Sequence, residues 1–173
     1  MTGGSISTSG GTGIITATEA NLEGGEINAD NGGLGVEISA GTVTLDGATM
    51  YVNDGEGVDN TAGYFTMNSG EIEVDGGTGI TAKWAEFLGG TITVNSTIGN
   101  EKGIYVDGGG TIDIAGTDIY VNGSTDPEYY NYGVYVVNNS GMISVSGSEI
   151  IAEAGAYQAG EGNAHAIYGT GTG

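Results

Sequence analysis

The chain of 173 residues contains no cysteine and no arginine, and it has one proline and two lysines. Without cysteine, it has neither disulfides nor a thiolate metal site. Without arginine, it has no bidentate clamp for phosphate groups. Its 22 acidic residues give a formal net charge of −20. This charge disfavours nucleic acid and anionic membrane surfaces as partners.

The chain also lacks a long apolar run. No run approaches the roughly 20 residues that a transmembrane helix needs, and no signal peptide opens the sequence. We therefore expect no membrane insertion by this segment itself. Glycine is abundant, at 37 residues, but it lacks the Gly-X-Y period of collagen. Because both ends read as the middle of a repeat, we expect residues 1–173 to be a single domain from a larger repeat protein.

Three series of apolar residues recur along the chain and define its repeat. Each member of the second series lies five residues after a member of the first, apart from one leading residue. Members of the third series usually follow a glycine; their spacing is constant as far as Ile80 and then widens towards the C-terminal end. The first series is Leu22, Leu45, Met67, Phe87, Ile114 and Val145; the second is Ile6, Ile27, Met50, Ile72, Ile92, Ile119 and Ile150; the third is Ile14, Val36, Val58, Ile80, Ile104, Val134 and Ile167.

The apolar residues alternate with polar ones, as in Ile72-Glu73-Val74 and Ile92-Thr93-Val94, which predicts half-buried strands. Glycine-rich corners such as Asp75-Gly76-Gly77 separate the strands. A repeat of about 22 residues with three apolar segments is too short to contain a helix. The sequence therefore predicts an all-β fold. We expect a right-handed single-stranded parallel β-helix of about seven coils, with three strands per coil and longer loops in the C-terminal coils.

Four phrases of the repeat are similar to those of a known group of proteins: Gly-Gly-Ser-Ile at 3–6, Gly-Gly-Glu-Ile at 24–27, Phe-Thr-Met-Asn-Ser-Gly-Glu-Ile at 65–72 and Gly-Gly-Thr-Ile at 89–92. They resemble repeats of autotransporter passenger domains and related bacterial adhesins. The resemblance implies export, an extracellular location on the bacterial cell surface, and adhesion. It is an analogy of architecture, because fold alone does not determine function.

Candidate binding residues are concentrated in the last three coils. Directly after the third apolar series these coils have Tyr105, Tyr135 and Tyr168, and alternation predicts that the three rings form an exposed ladder. Three longer connections, 95–103, 122–133 and 152–166, are expected to project from one side. They contain Tyr129, Tyr130, Tyr132, Tyr157 and His165. Aromatic rings beside acidic loops are suited to a sugar or a protein partner, although stacking that merely stabilises the sheet is the plainer interpretation.

These observations predict an adhesin or passenger segment that is not an enzyme, with a regular stalk and a contact surface for a host or bacterial glycan or protein. The first alternative is a polysaccharide-degrading glycosidase, for which Glu73, Glu86 and Asp113 are the candidate carboxylates. The second alternative is a pure spacer. No cofactor is expected. Weak calcium binding is a further expectation, because Asp54 with Glu56, and Asp126 with Glu128, supply carboxylate oxygens. Neither pair matches a known calcium loop.

Overall fold

A computed structural model describes residues 1–95, 99–123, 130–137, 142–153 and 163–170, which form sixteen β-strands and no helix. The strands are β1 (Ser5–Ser9), β2 (Thr12–Thr16), β3 (Glu19–Leu22), β4 (Glu26–Asp30), β5 (Leu34–Ile38), β6 (Thr42–Asn53), β7 (Glu56–Asn60), β8 (Tyr64–Asp75), β9 (Thr78–Phe87), β10 (Thr91–Asn95), β11 (Lys102–Ala115), β12 (Asp118–Asn122), β13 (Tyr130–Val137), β14 (Met142–Ser146), β15 (Ile150–Glu153) and β16 (Asn163–Thr170).

The strands stack in parallel as three ladders, so that each turn of the chain contributes one strand, or part of a long strand, to each ladder. Ladder A comprises β3, the first parts of β6 and β8, the second parts of β9 and β11, and β14. Ladder B comprises β1, β4, the second parts of β6 and β8, β10, β12 and β15. Ladder C comprises β2, β5, β7, the first parts of β9 and β11, β13 and β16. The predicted parallel β-solenoid is confirmed, while its handedness stays a prediction.

The register of the ladders follows the three apolar series. In ladder B, Ile72 pairs with Ile92 and Ile92 pairs with Ile119. In ladder C, Ile104 still pairs with Val134 although the repeat is longer there than in the early turns, because the extra residues lie in the connections between strands. Like residues are thus placed over like residues on the inner face of every ladder.

The number of turns is smaller than the sequence predicts. The solenoid has about five turns, not seven, and each ladder has five consecutive members of its apolar series fully buried, such as Ile27 to Ile119 in ladder B. Apart from Leu22, the outermost members of the three series are less completely buried. At the C-terminal end, Val145 is 41% exposed and Ile167 is 51% exposed. Counting every apolar triplet as a coil therefore included strands that belong to incomplete turns.

A column of glycines explains how the three ladders close around so narrow a core. Gly57 lies just before Val58 in ladder C, and a Cβ atom built there would be 2.4 Å from the carbonyl oxygen of Gly79 and 2.7 Å from Cγ2 of Ile72. Gly79 and Gly103 have equivalent contacts in the following turns. A side chain in this column would displace either the next turn or an isoleucine of ladder B.

The corner between ladders B and C requires a left-handed residue in successive turns. Gly10, Asn31, Asp54 and Gly76 occupy this position with φ angles of 68°, 55°, 56° and 81°. Asparagine and aspartate tolerate this region better than other non-glycine residues. Their presence at two of the four corners follows from that tolerance.

Candidate functional site

The outer face of ladder C changes in character along the solenoid axis. Two rows of side chains point outward on this face. One row is Thr12, Leu34, Glu56, Thr78, Lys102, Tyr132 and His165; the other is Ile15, Glu37, Asp59, Thr81, Tyr105, Tyr135 and Tyr168. The early turns carry Ile15 and Leu34 as well as the carboxylates of Glu37, Glu56 and Asp59. The middle turn carries two threonines, of which Thr81 is buried, and the late turns carry aromatic rings.

The three tyrosines of the second row stack directly over one another. Tyr105 and Tyr135 pair in register, with ring centroids 5.7 Å apart and 13° between the ring planes. Tyr135 and Tyr168 also pair, at 5.5 Å and 3°. Ring faces within the stack cover one another, so its solvent side consists chiefly of ring edges and phenolic hydroxyls. The ladder lies where the alternation placed it, and its role in binding stays a prediction.

A second column of rings packs beside this stack. Tyr132 lies 4.6 Å from Tyr135 and 5.3 Å from Tyr168, between ring centroids. It stacks on Tyr130 at 6.2 Å and on His165 at 5.7 Å, each nearly parallel. We call these six residues the aromatic cluster: Tyr105, Tyr130, Tyr132, Tyr135, His165 and Tyr168. The five tyrosines of this cluster are among the predicted binding residues, and His165 joins them through its register with Tyr132.

Lys102 is a part of this surface that the sequence analysis missed. Its Nζ lies 5.5 Å from the ring centroid of Tyr105 and 5.9 Å from that of Tyr135, within the range of cation–π attraction. The signal was present in the register, because Lys102 occupies the position of Tyr132 one turn earlier. A comparison of every outward position on successive turns, not of the tyrosines alone, identifies Lys102 as part of this surface.

The electrostatic environment differs between the two halves of this face. Burial, followed by the neighbouring Tyr135, Tyr168 and Tyr130, raises the pKa of the Tyr132 phenol. In the acidic half, burial raises the pKa of Glu56, with a smaller contribution from Asp59. A hydrogen bond from the Thr81 hydroxyl, 3.3 Å from Oε2 of Glu56, and the Lys102 ammonium group act in the opposite direction.

Two of the predicted binding residues, Tyr129 and Tyr157, lie outside the described residues, as do Asp126, Glu128 and much of the three longer connections. Tyr130, Tyr132 and His165 were predicted to lie in projecting connections, but they belong to strands β13 and β16 of ladder C. The start of β13 contacts the described end of the first connection. The backbone N–H of Tyr130 donates to Oδ1 of Asn100 at 2.7 Å, and that of Tyr132 donates to the backbone carbonyl of Glu101 at 2.9 Å. The base of the first long connection therefore stacks under the base of the second.

The candidate carboxylates of the enzymatic alternative occupy two ladders. Glu73 lies on ladder B, in an open depression of about 250 Å³ shared with Asp30, Tyr51 and Asp75. Glu86 and Asp113 lie on ladder A and pair in register on adjacent turns. Two of the three candidates thus share one sheet face, which the sequence analysis did not anticipate.

Within the described ranges, no group of three or more His, Asp or Glu side chains is arranged to hold a metal ion. Asp54 and Glu56 are near in sequence, but Asp54 lies at the corner between ladders B and C, whereas Glu56 begins a strand of ladder C. Calcium binding stays a prediction.

No protein-family model, curated protein or solved structure matches this chain. The similarity to autotransporter passengers is therefore a prediction from four short phrases, and the parallel β-solenoid is what the coordinates themselves establish. In the part of the chain that the structure describes, no helix is long and apolar enough to cross a membrane.

Proposed function

We propose that this chain is a binding segment of an exported bacterial surface protein, an adhesin or passenger domain that is not an enzyme. Its regular early turns serve as a stalk, and its aromatic cluster serves as the contact surface. One observation carries the proposal. Six aromatic rings gather on the late turns of one sheet face, whereas the early turns of that face carry aliphatic and carboxylate side chains.

The shape of the cluster favours a protein partner over a glycan. Sugar rings bind best to open aromatic faces, but the faces of Tyr135 are flanked by Tyr105 and Tyr168. The stacked tyrosines expose ring edges and hydroxyls, and the Lys102 ammonium group lies beside them. This composition resembles the tyrosine-rich centres of protein interfaces. Tyrosine also contributes large contact area at a low cost in side-chain entropy.

The proposed location outside the cell rests on composition and resemblance. The chain has no cysteine, so it would pass through an oxidising compartment without forming incorrect crosslinks. Its charge of −20 keeps an extended solenoid soluble. Both properties suit an exported rod, and the four repeat phrases resemble those of exported bacterial proteins.

The test measures binding of the labelled full chain to host cells and to bacterial cells. Binding is compared on untreated, protease-treated and periodate-oxidised cells, because protease removes protein partners and periodate destroys glycans. We expect binding that protease abolishes and periodate leaves intact. Replacing Tyr105, Tyr135 and Tyr168 by serine should weaken it by about tenfold or more, as expected for hot-spot residues.

A matched control removes exposed tyrosines from another ladder. Tyr51→Ser with Tyr120→Ser alters the outer face of ladder B and should leave binding unchanged. Loss of binding after periodate alone would identify a glycan partner instead. Equal binding by the triple variant and the wild type would remove the aromatic cluster from the proposal. Binding to neither kind of cell above background would favour the spacer.

The second candidate is a polysaccharide-degrading glycosidase, favoured by the pairing of Glu86 with Asp113. Adjacent parallel strands are about 4.8 Å apart, and retaining glycosidases hold their two carboxyl groups about 5–5.5 Å apart. A reducing-end assay over a polysaccharide panel tests this function. Turnover that disappears in Glu86→Gln or Asp113→Asn would establish an enzyme and overturn the non-enzymatic proposal.

A further inference from the structure

We propose that the outer face of ladder A has a second binding site, centred on Trp84, for a neutral saccharide. The site, called the Trp84 face below, consists of Tyr64, Thr66, Trp84, Glu86 and Asp113. It lies on a different ladder from the aromatic cluster and does not depend on the binding function proposed for that cluster, although it shares Glu86 and Asp113 with the glycosidase named as the second candidate.

The apolar part of the Trp84 face consists of two large rings on adjacent turns. Phe65 pairs with Ala85, so Tyr64 and Trp84, each one residue earlier, hold equivalent outward positions. Each of the two side chains is 38% exposed. Tyr64 and Trp84, both within the described ranges, show no mutual ring stacking of the kind that covers the ring faces in the aromatic cluster. The parts of the two rings that Lys83 leaves uncovered supply aromatic area for a ligand.

The rings stand on a firm base. Phe65 and Phe87, the inward neighbours of this region, are fully buried and pack at 5.9 Å between ring centroids. Exposed rings whose supporting strands are held by a packed interior lose little further freedom when a ligand binds. The Trp84 face is therefore a preorganised surface.

The polar part of the face is a row of oxygen-bearing side chains beside the rings. Thr66 pairs with Glu86, and Glu86 pairs with Asp113, so three acceptors succeed one another along the solenoid axis. Burial, and next the Glu86 carboxylate, raise the pKa of Tyr64, so this phenol keeps its proton at neutral pH.

Rings beside hydroxyl and carboxylate groups match the two sides of a sugar. The C–H faces of a saccharide are apolar and pack on indole and phenol rings, while its hydroxyls donate to carboxylates. Charge determines which sugars fit. Two carboxylates on adjacent turns, in a chain of net charge −20, repel uronic acids and sulfated sugars.

A cationic ligand is a poorer match for the same face. The Nζ atom of Lys83 already lies 4.5 Å from the ring centroid of Trp84, so the chain itself supplies the cation for the indole ring. A ligand ammonium group would have to displace it or share the ring with a like charge. A neutral saccharide also shares the indole ring with the Lys83 side chain, but it brings no like charge to it.

The chain contains one tryptophan, so its intrinsic fluorescence reports on this face. The experiment titrates the full chain with neutral gluco-, galacto-, manno- and xylo-oligosaccharides, and with oligogalacturonate as the charged comparison. We expect a saturable blue shift with at least one neutral series and none with oligogalacturonate. Calorimetry should show binding weakened by about tenfold or more in Trp84→Ala, and fluorescence should show the same for Glu86→Gln and Asp113→Asn.

Two controls separate this site from the aromatic cluster and from general stickiness. Tyr51→Ala removes a ring of similar exposure from ladder B, and the serine variant of Tyr105, Tyr135 and Tyr168 removes the tyrosine ladder. Both should keep the tryptophan response. The proposal is overturned by a flat response to every neutral series, by a preference for oligogalacturonate, or by unchanged affinity in Glu86→Gln and Asp113→Asn together.

Discussion

The early turns and the late turns of the solenoid share one strand register, but they differ in the length of the repeat and in the side chains on the outer face. In the early turns, the strands of ladder C recur at a short, constant interval and carry Glu37, Glu56 and Asp59 outward. In the late turns the interval lengthens, and the outward positions carry rings. The inner layer thus fixes the architecture, and the outer layer is free to vary.

The interior shows the same contrast. Ile72 and Ile92 in the middle of ladder B are fully buried, whereas Ile167 in the last turn is half-exposed. In a stacked repeat each turn is stabilised chiefly by its neighbours, so a turn covered on one side receives about half of that support. The aromatic cluster therefore stands on the less supported end of the molecule, and the contacts between its rings add packing where the core adds least.

The largest expected effect tests the interior. Ile92→Ala should lower the free energy of unfolding by about 2–5 kcal/mol, because it leaves a cavity in a fully buried ladder. Ile167→Ala should cost under about 1 kcal/mol, because half of that side chain already faces water. Urea denaturation of the two variants measures the difference. Equal losses would show that the middle and the last turn of the solenoid are equally supported.

The next prediction concerns the glycine column. Gly57→Ala should destabilise the fold by about 1–3 kcal/mol, since its new methyl group would overlap the Gly79 carbonyl oxygen and Ile72. Gly169→Ala in the last turn meets nothing within 4 Å and should change stability by less than about 0.5 kcal/mol. Denaturation midpoints of the pair provide the measurement. A neutral Gly57→Ala would mean that neighbouring turns separate more easily than their contacts indicate.

A smaller effect is expected at the boundary between the two halves. Lys102→Met removes the ammonium group from beside Tyr105 and Tyr135 while keeping an unbranched side chain. We expect the late turns to lose about 0.5–1 kcal/mol of free energy of unfolding. Compared with the wild type, hydrogen exchange should become faster in β13 and β16 and stay unchanged in β5 and β7. Lys83→Met serves as the matched variant, since its lysine packs on Trp84 instead. Uniformly faster exchange along all strands would contradict a local role.

The smallest expected effect is alkaline destabilisation of the late turns. The folded state raises the pKa of Tyr132 above its unfolded value near 10. This tyrosine therefore contributes stability that is fully present below about pH 10 and is lost as the pH rises through its folded pKa. The phenolate absorbance of the wild type minus that of Tyr132→Phe reports the titration. Ionisation of Tyr132 at or below the ordinary tyrosine range would refute this prediction.

Much of the fold was predictable because the interior is periodic. Every strand pair joins residues of the same apolar series. The constant offset of five residues between Leu45 and Met50, or between Phe87 and Ile92, marks the corner at which the chain passes from ladder A to ladder B. Successive side chains of a strand point to opposite faces, so the alternation of apolar and polar residues predicts which side chains are buried. The turn count was wrong for a physical reason, since a triplet in the sequence does not reveal whether another strand covers it.

The outer surface was less predictable, because outward residues need satisfy no common packing rule. The tyrosine ladder was found since one residue type recurs at one position in three turns. Trp84 and Tyr64 escaped notice because they are different residues on different turns, and only the register shows that they are neighbours. Lys102 was missed for the same reason. No periodic signal identifies a ligand.

The glycine column has a consequence for how such a chain changes in length. Each glycine accommodates the backbone of the adjoining turn and an isoleucine from the next ladder, as Gly57 does for Gly79 and Ile72. A duplicated segment of one full period brings its own glycine and its own isoleucine into alignment, whereas a fractional insertion within a strand would misalign both. The solenoid can therefore lengthen or shorten only by whole turns, so its length is set by the number of turns. Residues added at the corners do not change that number.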